Sequence, residues 1–107
     1  MRTSAWKDTE RTIAKRLGGK RVPITGRIRG SAPDIKHSWL SIEVKHRKLI
    51  PLWLHGAMSQ AVAAVRGNQL PVVILHESGA RHDDDIVCVR LGDWVEWFGD
   101  VDPSVPR

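Results

Sequence analysis

Asp34, Glu43 and Lys45 are the residues of this 107-residue chain whose types and spacing point most directly to chemistry. Asp34 follows Pro33, and Val44 alone separates Glu43 from Lys45. Between Leu40 and Lys45 the apolar Leu40, Ile42 and Val44 alternate with Ser41, Glu43 and Lys45. That period of two predicts a strand with Glu43 and Lys45 side by side on one face. Asp34 precedes it by a length suited to a short hairpin, with His37, Ser38 and Trp39 near the turn. Such a hairpin brings Asp34 across from Glu43, so that two carboxylates and an ammonium meet at one point. Paired carboxylates repel unless a cation lies between them, and hard oxygen ligands favour magnesium or manganese. The chemistry these residues allow is metal-dependent hydrolysis.

The elements that must position them follow from the flanking patterns. A helix is predicted from about Ser4 to Leu17, capped by Ser4 and stopped by Gly18-Gly19. Trp6, Ile13, Ala14 and Leu17 share one face of it, and Glu10 falls on that face too. A carboxylate there is costly to bury unless it is paired or lies near a metal; Arg11 and Lys7 are the local candidates for a partner. Val22 to Thr25 read as a short strand, with Pro23 confining it to an edge. Gly26 and Gly30 bracket Arg27 and Arg29 in a basic loop able to follow a phosphate backbone, with Thr25 as a further donor. Gly18-Gly19-Lys20 lacks the spacing of a phosphate-binding P-loop.

After Lys45 the basic run His46-Arg47-Lys48 leads to a helix opened by Pro51 and ending near Arg66-Gly67. Its predicted packed stripe is Trp53, Ala57, Ala61 and Ala64, with the amide of Gln60 inside it. Leu70 to His76 form a continuous apolar run, expected as a strand buried on both faces. Glu77 to Asp85 form a polar turn, and Ile86 to Leu91 a further strand. His82-Asp83-Asp84-Asp85 reads as a hairpin loop rather than a separate metal site, because consecutive acids splay apart. A short helix from Gly92 or Asp93 carries Trp94, Val95, Trp97 and Phe98 as core or dimer contacts. Residues 102–107 are a loose tail.

Length allows one domain, 1–107, with a single core. The 41% hydrophobic and 27% charged composition is that of a soluble globular protein. No apolar run suffices to span a bilayer and no signal-peptide core opens the chain. The single Cys88 excludes an internal disulfide and suits a cytoplasmic setting; it is expected as a buried structural thiol. Net charge is +5, unevenly spread: 13 Lys/Arg stand against 4 Asp/Glu through Lys48, and 4 against 8 beyond it. A basic half surrounding an acidic pocket suits a polyanionic substrate. The order of helix, strands, helix, strands and short helix predicts an α/β sandwich, a central mixed sheet flanked by helices.

Pro33-Asp34 followed by Glu43-Val44-Lys45 resembles the PD-(D/E)XK signature of the restriction-endonuclease-like nucleases. With Glu10 on the preceding helix and Gln60 on the following one, the order is similar to that superfamily's αβββαβ core. Within it, Glu10, Arg21-Val-Pro-Ile-Thr-Gly26, Asp34, Glu43 and Lys45 look most like the archaeal and phage-type Holliday junction resolvases. The chain departs from many relatives in having Thr25 for serine and no tyrosine near Gln60.

The resemblance implies phosphodiester hydrolysis with Mg2+, Mn2+ being a possible substitute. Asp34, Glu43 and the Val44 carbonyl would hold the ion, and Glu10 would bind a second ion or anchor its waters. Gln60 would support the site from behind. Lys45 would orient or deprotonate water, or stabilise the phosphorane. A four-way DNA junction and a twofold homodimer are the implied substrate and assembly. Arg21, Thr25, Arg27, Arg29, Arg47 and Lys48 would contact DNA. The other readings are a nuclease for forks, flaps or duplex ends, a non-catalytic DNA-binding module on the same fold, and a structural hairpin in which Glu43 and Lys45 form only a surface pair.

Overall fold

In the computed structural model residues 5–22 and 34–99 are described, and they are mixed α and β. They fall into two compact units, one made of the residues up to Arg47 together with Gly99 and one running Lys48–Phe98. Pro23 to Pro33 lie outside the described residues, as do the capping Ser4 and the tail.

The first unit opens with α1, Ala5–Leu17. Glu10, Ala14 and Leu17 are buried and Trp6 and Ile13 half-buried, the face the periodicity predicts. Gly18 ends the helix at φ +76°, and Gly19 donates its N–H to Ala14 O at 2.8 Å. β1 (Lys20–Arg21) then pairs antiparallel with β2 (Ile35–Lys36) in the register Lys20↔Lys36, Arg21↔Ile35. β1 thus begins two residues before the predicted strand, and Val22 extends the ladder by donating to Asp34 O at 2.9 Å. An antiparallel bridge Ile35↔Ile42 adds the extended segment after the turn as a third rung. Ile35, 0% exposed, lies at the centre of this core.

Gly19 is required by this packing. A Cβ there would stand 2.6 Å from Lys36 O and 2.7 Å from Ile35 Cγ2, closer than any side chain tolerates. The turn after α1 therefore rests directly on β2.

In the second unit, α2 spans Leu52–Ala63. Pro51 starts it, its carbonyl accepting from Leu54 N at 3.0 Å and His55 N at 3.2 Å. The helix stops short of Arg66, and the chain turns at Gly67, φ +57°. Its packed line is Met58, buried, with Leu54, Ala57 and Ala61 half-buried. This differs from the predicted stripe: Trp53, Gln60 and Ala64 are exposed. So much of Leu52–Ala63 is apolar that spacing admits more than one stripe. The line containing Leu54 and Met58 buries more hydrocarbon than one dominated by alanines.

β3 (Val73–Leu75) and β4 (Ile86–Cys88) form an antiparallel ribbon with pairs Val73↔Cys88, Ile74↔Val87 and Leu75↔Ile86. The hairpin is as predicted, but burial of β3 on both faces is not found: Ile74 is 53% exposed, and Ile86 and Val87 are exposed as well. A two-stranded ribbon has too few neighbours to cover both faces. Cys88 is half-buried and unbonded to sulfur. α3, Leu91–Phe98, follows with Trp94 and Phe98 ring centres 4.7 Å apart. Among the described residues strand pairings are antiparallel and belong to two separate two-stranded sheets. None of their helices is long and apolar enough to cross a membrane.

Gly19→Ala is expected to lower unfolding stability by about 1–3 kcal/mol in denaturant titrations, the usual cost of forcing an extra carbon into a filled contact. Gly92→Ala, whose Cβ would meet nothing within 4 Å, serves as the neutral control.

Candidate functional site

Asp34 is buried, and its hydrogen bonds define the local geometry. Its N–H donates to Ile42 O at 3.1 Å and its carbonyl accepts from Val22 N at 2.9 Å. Its carboxylate Oδ2 accepts the N–H of Val44 at 2.5 Å. Ile35 and Ile42 form an isolated antiparallel bridge, and no ladder continues from it to Glu43. Asp34 is buried and Glu43 exposed. Leu40, Ile42 and Val44 are half-buried while Ser41, Glu43 and Lys45 are exposed, but the predicted strand is not formed: the segment pairs only through the bridge at Ile42. Lys45 Nζ lies 3.6 Å from Glu43 Oε2, with the two side chains 72% and 62% exposed.

His37 holds the turn between these segments. Its Nε2 bonds Leu17 O at 2.8 Å, while Nδ1 accepts the N–H groups of Trp39 and Leu40, each at 3.2 Å. Two donors aimed at Nδ1 assign the ring hydrogen to Nε2. One imidazole thus ties the end of α1 to the hairpin carrying the candidate acids.

Glu10 is buried on α1, and Arg21 Nε donates to its Oε1 at 2.7 Å; the side chains are only 13% (Arg21) and 6% (Glu10) exposed. The Arg21 guanidinium also lies 5.4 Å from the Trp6 ring centre. Neither Arg11 nor Lys7 takes the partner's place: Arg11 binds Asp8 at 2.8 Å and Lys7 lies over Trp6. Glu10 lines a cleft of about 470 Å³ together with Trp6, Val44, Lys45, His46 and Arg47. The cleft joins one acid to a cationic rim. Thr9 reinforces it, its Oγ1 lying 2.8 Å from His46 Nδ1.

Glu10, Val44, Lys45 and Arg47 therefore meet at one cleft, and Asp34 is bonded to Val44 beside it. Lys48 and Gln60 belong to the second unit and are both exposed. Thr25, Arg27 and Arg29 lie outside the described residues. Arg21, read from sequence as a DNA contact, is engaged by Glu10. That pairing was not legible in the sequence: the stripe shows that Glu10 needs a partner, but an arginine 11 residues on is chosen by the register of β1.

The oxygen donors of Asp34, Glu43 and the Val44 carbonyl are of the type a hard divalent ion takes. Glu10, Asp34 and Glu43 do not gather into a three-ligand group; among the described residues that description fits His76, His82 and Asp85. The donor chemistry fits Mg2+ or Mn2+ at Asp34 and Glu43, and recruiting Glu10 means competing with Arg21. No family model, curated protein or solved structure matches the chain.

Arg21→Ala leaves the Glu10 carboxylate buried without its cation and is expected to cost about 3–5 kcal/mol in urea unfolding. Adding Glu10→Gln should recover part of that loss. Lys45→Ala, which removes only an exposed pair, should shift the midpoint little.

Proposed function

We propose that this chain is a Mg2+-dependent endonuclease of the restriction-endonuclease-like class, hydrolysing phosphodiesters of branched DNA in the manner of a Holliday junction resolvase. The observation that supports the reading is the Ile35↔Ile42 bridge together with the Val44 N–H bond to Asp34, which bring the segment carrying Glu43 and Lys45 beside Asp34. The succession α1, β1, β2, the segment bridged at Ile42, α2 and β3 also follows the order αβββαβ.

In this reading Asp34 and Glu43 supply the carboxylates for a divalent ion, with the Val44 carbonyl beside them. The bound ion contributes positive charge against the phosphoryl oxygens as negative charge builds there. Lys45 orients the attacking water or donates to a scissile-phosphate oxygen; its 3.6 Å contact with Glu43 keeps the ammonium next to the ligand set. The Val44 N–H to Asp34 bond fixes the orientation of that carboxylate. Arg47, on the rim of the Glu10 cleft, and Lys48, Arg27 and Arg29 bind backbone phosphates by charge. A twofold homodimer would present two such centres to the two strands of a four-way junction.

The test is incubation of labelled four-way junction and plain duplex with the chain and Mg2+. Paired, symmetric junction cuts are expected. Asp34→Asn and Glu43→Gln should each slow them at least about 100-fold, the loss of several kcal/mol of charge stabilisation. Equal cutting of both DNAs would defeat the junction assignment, and cutting of neither would defeat the nuclease.

One observation favours a second reading, a DNA-binding module without catalysis: Glu10 is already neutralised by Arg21. That reading predicts junction binding in Mg2+ without incision, unchanged by Asp34→Asn.

A further inference from the structure

The turn of the β3–β4 ribbon gathers ligand-type side chains of different chemistry. The pair Leu75↔Ile86 makes His76 and Asp85 the next residues directly across the ribbon, on one face. His76 Nδ1 lies 2.6 Å from Asp85 Oδ1. His82 begins a 3₁₀ turn, His82–Asp84, and its Nδ1 lies 3.1 Å from Asp85 Oδ2. The two imidazoles stack with centres 4.4 Å apart and planes 26° from parallel. The connecting backbone is held by bonds from Ala80 N to Glu77 O, Asp84 N to Arg81 O and Asp85 N to His82 O, each 3.0 Å. One ligand atom from each of the three side chains lies within 4.8 Å of the others.

We propose that His76, His82 and Asp85 bind one borderline transition-metal ion, of which Zn2+ is the type. Two imidazole nitrogens and one carboxylate oxygen form a set suited to Zn2+, Ni2+ or Cu2+, whereas Mg2+ prefers oxygen and keeps its waters. Bonds of about 2.0–2.1 Å in a tetrahedron require ligand atoms roughly 3.3 Å apart. With the ligand atoms within 4.8 Å of one another, no pair has to close by more than about 1.5 Å to reach that tetrahedral spacing. His82 can supply the movement: its side chain is 84% exposed, while His76 and Asp85 are fixed by the strands they adjoin. The ion replaces the contacts of both rings with Asp85. Asp83 and Asp84 beside the site favour a cation, although Arg81 is paired with Asp83 at 3.2 Å. Three protein ligands leave a fourth position for water.

The proposal is tested by titrating the full chain with Zn2+ against a chromophoric chelator. One ion per chain is expected, undisplaced by excess Mg2+ and unaffected by Asp34→Asn. His82→Ala, an exposed substitution whose folding circular dichroism verifies, should weaken binding at least about 10-fold. His76 and His82 ring resonances should shift together on metal addition. If wild type binds no Zn2+ at millimolar concentration, or binds it as well as His82→Ala does, the three side chains form only a hydrogen-bonded cluster and the proposal falls.

Discussion

Asp34 is joined to three segments at once: its carbonyl takes the N–H of Val22, its own N–H reaches Ile42 O, and its carboxylate takes the N–H of Val44. Each of these groups would otherwise be a buried polar atom needing a partner. Because the next residue, Ile35, is the fully buried centre of the unit, the polar bonds and the apolar core hold the same stretch of backbone. The close approach of Gly19 and the His37 contact with Leu17 O then bring the end of α1 onto that stretch. The candidate acids are consequently part of the unit's framework, with Asp34 immobilised and Glu43 exposed.

Much of this was legible in the sequence because it depends on local periodicity. The alternation from Leu40 to Lys45 matches the half-burial of Leu40, Ile42 and Val44, although that segment pairs only through the bridge at Ile42. The Trp6–Leu17 stripe of α1 is recovered nearly residue by residue. Readings failed where several registers satisfy the same pattern. α2 is apolar on too many sides for spacing to choose between Trp53 and Leu54 as the packed residue. The run at Leu70–His76 has the composition of a doubly covered strand, yet coverage depends on neighbours that composition does not specify. Among the described residues the strands make two antiparallel ribbons in place of the predicted central mixed sheet, because strands of two or three residues leave few edges to join.

The two ligand-type groups illustrate the same division. Asp34 and Glu43 stand out in sequence because closely spaced hard oxygen donors form a recognisable pattern there. His82 and Asp85 read in sequence as part of a hairpin loop, and nothing in the spacing joins them to His76. The signal lay instead in the ends of the flanking strands. A hairpin's register joins the residue after one strand to the residue before the next, and a helical turn adds a third three residues back.

The buried Arg21–Glu10 pair divides the charges of this chain into two populations. Ions in solution screen exposed charges over distances of about 8–10 Å at ordinary salt, but they cannot enter between two side chains enclosed by protein. Lys45, Glu43 and the cationic rim are open to that screening; Arg21 and Glu10 are largely closed to it. Ionic strength thus becomes a selective solvent variable: it can weaken the attraction of polyanions to the cleft while leaving intact the charge pair that braces the cleft wall.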